Sequence, residues 1–153
     1  MLKIQVEFPD EDELVRILDR STGAQDAHVS PVLNTDRLME MQSLVRAIPV
    51  APSLTRYVVR LLRATHPNNE ESPEKIRRFV RAGASPRGAQ AILLAARVRC
   101  ALDQRLTPSV EDIRHVLKPA LRHRVILNFE GEAEGIRVDQ LLDQIISSTA
   151  IDS

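Results

Sequence analysis

The stretch of the chain best suited to chemistry is Ala82-Gly83-Ala84-Ser85-Pro86-Arg87-Gly88-Ala89-Gln90. A hydroxyl residue followed by proline marks a helix start, with Ser85 as the cap and Pro86 at the first helical position. Arg87 then falls at the second helical position, where the positive end of the helix macrodipole disfavours a cation. Free first-turn amides, the dipole and a planar guanidinium fork together suit a phosphate or another oxyanion. Gly83 and Gly88 allow backbone to approach closely. The same residues admit a plainer reading, an exposed arginine that tolerates the dipole, and local physics leaves both open.

Other chemistries find little support. Neither G-x-x-x-x-G-K-[ST] nor G-x-G-x-x-G occurs, so the chain carries no phosphate-cradling loop of those kinds. The four histidines, His28, His66, His115 and His123, form no H-E-x-x-H pair, and one cysteine cannot build a structural zinc site, so no metal ligand is expected. The carboxylates from Asp10 to Glu13 lie at a helix start, where the dipole stabilises them as solvated caps rather than as an acid/base pair. Cys100 reads as a small core residue on a helix, and a lone cysteine fits a reducing compartment.

The whole-chain numbers point the same way. Lys plus Arg and Asp plus Glu are 21 each over 153 residues, so net charge gives no nucleic-acid or membrane footprint. The longest apolar run, Ala91 to Ala96, is far short of the ~20 residues that span a bilayer. Residues 1–8 alternate polar and apolar, unlike a secretory signal, which makes the cytoplasm the expected location.

That alternation, with Leu2, Ile4, Val6 and Phe8 on one side, predicts a strand, and one strand alone cannot make a sheet. Beyond Phe8 the pattern predicts helices and loops. Asp10 caps the first helix with Glu13 in capping-box position, and Leu14, Ile17 and Leu18 form its buried stripe. Asn34 caps a second, with Leu38, Met41, Leu44 and Val45 as the stripe, ended by Pro49 and Pro52. A third runs over about residues 53–65 with Leu54, Val58, Leu61 and Leu62 inward. Ser72-Pro73, Ser85-Pro86 and Thr107-Pro108 open three more. Their stripes are Ile76, Phe79 and Val80; then Ala89, Ile92, Leu93, Ala96 and Cys100; then Val110, Ile113 and Leu117. Pro119 is expected to interrupt the last of these, and a final helix carries Val138, Leu141, Leu142 and Ile145.

Gly83-Ala84-Ser85-Pro86-Arg87 resembles the sensor-two motif of the MoxR family of AAA+ ATPases, and the likeness runs along nearly the whole chain. Val29 to Leu33, Val50 to Ser53, the long helix Ala89 to Leu102, Thr107 to Asp112, Leu121 to Arg124 and Asn128 to Ala133 resemble that family in the same order. The resemblance implies a mainly α fold: a helical AAA+ lid bundle preceded by one short strand left over from an α/β ATPase core. It implies a core edge and first helix at 1–24, the lid at 25–118 and a helical extension at 119–153. Ser85, Pro86 and Arg87 would bind nucleotide, with Arg87 as the catalytic residue reaching the phosphates of ATP. The Walker motifs, with Mg, would lie upstream on the rest of the same polypeptide, and the isolated chain would be inactive. The implied partners are that core, neighbouring subunits of a ring and a client protein complex undergoing chaperone-like remodelling or maturation.

Two other readings stand beside it. One is a self-standing helical module that binds a partner helix through its apolar stripes. The other is a helix-turn-helix DNA binder, since Arg77, Arg78, Arg81 and Arg87 cluster about the junction at Gly83, although neutral net charge counts against nucleic acid.

Overall fold

The computed structural model describes residues 2–23 and 29–151. The expected boundary between residues 24 and 25, and His28, lie outside the described residues. The chain is mainly α, as the helical periodicity predicts. In order come α1 (Glu11–Thr22), α2 (Thr35–Ala47), α3 (Pro52–Arg63), α4 (Glu74–Phe79), β1 (Val80–Ala82), α5 (Pro86–Leu102), α6 (Val110–Leu121), β2 (Ile126–Leu127), α7 (Phe129–Ala133) and α8 (Val138–Ser148).

One core holds α3 to α8 together. Tyr57, Val58 and Leu61 of α3, Ile76 of α4, Ile92 and Ala96 of α5, Ile113, Leu117 and Leu121 of α6 and Leu142 and Ile145 of α8 are all fully buried. These positions recur at three- and four-residue spacing because a helix brings such residues onto one face. α5 packs chiefly on α6, and also on α3 and α2, while α8 packs on α6. Cys100 lies in this buried set, its thiol donating to the carbonyl of Arg105 at 2.9 Å.

The first two helices differ. Their caps form as predicted: Asp10 and Glu13 make a reciprocal capping box, and the Asn34 side chain accepts from the Arg37 amide. Their stripes, however, are not buried. Leu14 and Val45 are half-buried, while Ile17, Leu18, Leu38, Met41 and Leu44 are exposed. The amphipathic pattern specifies the helices, but the described residues offer them too little surface to cover their apolar faces.

Other expectations are corrected. Residues 2–9 form no strand: the segment finds no neighbouring strand among the described residues, and the Lys3 amide donates to the Pro119 carbonyl at 2.7 Å. Val6 and Phe8 are each 86% exposed. The strands instead lie later. β1 and β2 pair antiparallel, Val80 opposite Leu127 and Ala82 opposite Ile126, where only helices and loops were expected. Ser72 is not the cap of α4, since Pro73 holds that position and the Ser72 hydroxyl donates to the His66 carbonyl at 2.8 Å. α6 starts two residues beyond Pro108, because Ser109 and Asp112 form a capping box that outcompetes Thr107-Pro108. Pro119 does not end α6, which continues to Leu121: burial of Ala120 and Leu121, both fully enclosed, outweighs the hydrogen bond that proline cannot make.

Candidate anion site at the start of α5

The structure brings Ser85, Pro86 and Arg87 together as the cap and first two residues of α5, all three exposed. Pro86 supplies the fixed φ of a first helical residue. Ser85 occupies the cap position with extended backbone, yet its hydroxyl makes no capping hydrogen bond. The Gly88 amide turns back to the Ser85 carbonyl at 2.7 Å, whereas the Arg87 amide has no acceptor among the described residues. No acidic residue occupies the first turn. The guanidinium of Arg87 likewise has no hydrogen-bond or ion-pair partner among the described residues. A cation, a free hydroxyl and an unsatisfied amide thus share the positive end of a helix of 17 residues. The arrangement suits an oxyanion.

The two glycines do approach backbone and side chains closely, but within the protein. A Cβ on Gly83 would lie 2.7 Å from both the Thr65 carbonyl oxygen and the His66 ring. A Cβ on Gly88 would lie 2.7 Å from Cδ2 of Leu121 and 3.4 Å from Cδ1 of Leu62. Gly83 therefore seats the loop on the end of α3, and Gly88 seats the first turn of α5 on the end of α6.

Between them Ala84 is fully buried, and both of its backbone groups are engaged by side chains. Its amide donates to Oγ1 of Thr65 at 2.9 Å, and its carbonyl lies 3.0 Å from Nε2 of His66. Because a carbonyl only accepts, Nε2 carries the proton in that contact. Nothing in the sequence singled out Thr65 or His66 for this role, since each is remote from Ala84 along the chain.

The other candidate arginines are placed differently. Arg77 and Arg81 are exposed, but Arg78 is bound to α7: it pairs with Glu130 and, at 2.8 Å, with Glu134, and it stacks over the Phe79 ring. These carboxylates raise its pKa, the Glu130 hydrogen bond foremost. The side-chain amide of Asn128 ties α7 to the same place by donating to the Arg78 carbonyl, and its oxygen caps α7. One of the four cations proposed for a DNA backbone is thus neutralised. Of Leu121 to Arg124, Leu121 is core and Arg122 pairs with Asp139 at 2.9 Å, joining α6 to α8. The His123 imidazole is pushed to lower pKa by burial first, then by the charges of Arg124 and Lys3.

A second polar cluster sits at the far end of α5. Arg105 grips Asp112 with two bonds of 2.8 Å, and the Ser109 amide adds a third at 2.8 Å. Asp112 is 2% exposed, and the guanidinium holds its pKa down to about 2. Every oxygen of this carboxylate is engaged internally, which makes the cluster a fastening of the α5–α6 loop rather than a ligand site. Among the described residues no three His, Cys, Asp or Glu side chains gather as a metal site, and no helix is long and apolar enough to cross a membrane.

Comparison with known proteins gives a consistent picture. The model of the AAA lid domain family matches residues 63–145, more than half of the chain. Chaperone MoxR1 of Mycobacterium tuberculosis is 27% identical over 151 residues, covering 99% of this chain and 40% of that protein. Protein MoxR of Methylorubrum extorquens is 38% identical over 117 residues, covering 71% of this chain and 32% of that protein. A crystal structure of a candidate ATPase from Cytophaga hutchinsonii superposes on the entire chain with a TM-score of 0.87 at 27% identity, and the chain spans 47% of it. The chain therefore spans well under half the length of these two curated relatives.

Proposed function

Since the chain belongs to the AAA lid domain family, in its MoxR branch, we propose that it is the nucleotide-responsive lid of a MoxR-type AAA+ ATPase. Arg87 acts in that lid as the sensor-two residue. The observation that carries the reading is the Arg87 guanidinium, exposed and, among the described residues, unpaired at a helix start whose hydroxyl and amide are also unused. A cation opposed by the dipole has a compensating gain when phosphate meets it there.

Ser85 and Arg87 would hold phosphate oxygens, and Pro86 would fix the backbone between them. ATP, with Mg2+, would be bound principally by a nucleotide-binding core of the same polypeptide, which supplies the hydrolytic chemistry. What this chain contributes is orientation and charge at the phosphates, together with a rigid connection from that contact to the bundle. The division at 1–24, 25–118 and 119–153 belongs to the same proposal, with the last part sharing the core through Leu141, Leu142 and Ile145. So do a cytoplasmic location, ring-forming neighbours and chaperone-like remodelling of a client complex.

In the full-length ATPase, Arg87→Ala is expected to lower ATP turnover by roughly 100- to 1000-fold, the range for losing one preorganised charge contact. Melting temperature should be nearly unchanged, because the exposed side chain makes no hydrogen bond or ion pair among the described residues. Normal turnover in that variant refutes the assignment.

A further inference from the structure

We propose that Thr65 and His66 are positioning residues for Arg87, a clamp at the end of α3 that sets where α5 begins; this rests on the reading of Arg87 as a phosphate contact. Helix starts are commonly fixed by the cap side chain, but the Ser85 hydroxyl makes no capping bond here. The chain is instead held one residue earlier, at Ala84. Oγ1 of Thr65 donates to the Leu62 carbonyl at 2.6 Å and accepts from the Ala84 amide at 2.9 Å. Nε2 of His66 donates to the Ala84 carbonyl at 3.0 Å. Two side chains thus bond both polar groups of one peptide residue, as a neighbouring strand would.

The clamp is itself braced. The His66 carbonyl accepts from the Ser72 hydroxyl at 2.8 Å and from the Asn69 amide at 3.2 Å, so the turn after α3 is closed on itself. Gly83 lies flat against this turn, with no room for a side chain. From Ala84 to Arg87 there is only the extended Ser85 and the ring-locked Pro86, neither of which adds much freedom. A shift at Ala84 is therefore passed nearly undiminished to the Arg87 Cα. Leaving the Ser85 hydroxyl without a capping bond has a use in this arrangement: that hydroxyl and the Arg87 amide stay available while the register of α5 is still fixed.

The alternative account is that Thr65 and His66 only satisfy buried backbone groups. The two accounts differ in a cycle of variants of the full-length ATPase, in which ATP turnover and KM are measured for Thr65→Val, His66→Ala and each of these combined with Arg87→Ala. If the clamp works through Arg87, Thr65→Val and His66→Ala each lower kcat by roughly tenfold, in line with the sensitivity of catalysis to small misplacements. Each should add less than about twofold once Arg87 is alanine, since coupled residues are not additive. Thr65→Ser and His66→Gln, which keep the hydroxyl and a donor at similar reach, should return kcat to within about twofold of the parent. His66 is exposed, so its substitution tests the clamp even if Thr65→Val fails to fold. Equal losses of turnover with and without Arg87, or failure of both conservative variants to restore it, overturn the clamp alone. Unchanged turnover in Arg87→Ala by itself overturns the underlying reading of Arg87 instead.

Discussion

Asp112 offers the most direct test of the packing described above, through Asp112→Asn. Its carboxylate is buried, accepts two bonds from Arg105 and one from the Ser109 amide, and has its pKa lowered from 3.8 to about 2, with the Arg105 hydrogen bond as the largest cause. At 1.36 kcal/mol per pKa unit that difference corresponds to about 2.4 kcal/mol. The guanidinium is 37% exposed, and water screens part of the attraction, so about 1–2 kcal/mol is the expected share. A folded-state pKa below the unfolded value stabilises the fold above the unfolded pKa and ceases to do so as pH falls through the folded one. The contribution is therefore complete at neutral pH, falls below about pH 4 and is mostly gone at pH 2. Asparagine keeps the shape and one acceptor but not the charge. Urea unfolding of parent and Asp112→Asn should differ by about 1–2 kcal/mol at pH 7, or roughly 2–8 °C in melting temperature for a domain of this size. At pH 2 the gap should close to a few tenths of a kcal/mol. A gap that stays constant between pH 7 and pH 2 would refute the ionic origin of the effect.

Two further substitutions test neighbouring contacts. Gly88→Ala should destabilise the fold by about 1–2 kcal/mol in denaturant unfolding, because the new methyl meets Cδ2 of fully buried Leu121 at 2.7 Å, offset in part by better helix propensity. Arg78→Ala should leave the melting temperature nearly unchanged in thermal unfolding despite two carboxylate partners, since all three side chains are about half exposed and water screens the pairs.

The helical character of the chain was legible because its signals are local. Asp10 with Glu13, and Asn34, cap the helices they were expected to cap, and the stripes from Leu54 to Ile145 are buried, apart from half-buried Leu62, Ala89, Leu93, Val110 and Val138. Where the reading failed, a longer-range term decided. Alternation over residues 2–8 predicts a strand, but a strand exists only with a neighbour to bond, and that neighbour is absent among the described residues. β1 and β2 are three and two residues long, too short to show a period, and their pairing joins segments far apart in the chain. Thr107-Pro108 set the expected start of α6 two residues early, because the Ser109–Asp112 capping box fixes it at Val110. At the candidate site, Ser85, Pro86 and Arg87 could be read because helix-start chemistry is written in adjacent residues. Thr65 and His66 could not, because they meet Ala84 across 19 and 18 residues and no local pattern announces such a contact.

The contrast between the loosely covered first two helices and the dense remainder bears on how Arg87 is held. Precision at a charged contact comes from the shell behind it, not from the charged group itself. Behind Arg87 that shell consists of fully buried residues: Ala84 held from α3, and Leu121 of α6 pressed against Gly88. Leu121 adjoins Arg122, whose bond to Asp139 reaches α8. The exposed stripes of α1 and α2 take no part in these contacts. Interiors packed at this density shift as units rather than deform contact by contact. The helix that carries Arg87, α5, is packed on α3 and α6, and Arg122 ties α6 to α8. The contacts that seat the Arg87 turn therefore reach α3 and α6 directly and α8 through Arg122, while α4 and α7 lie outside them.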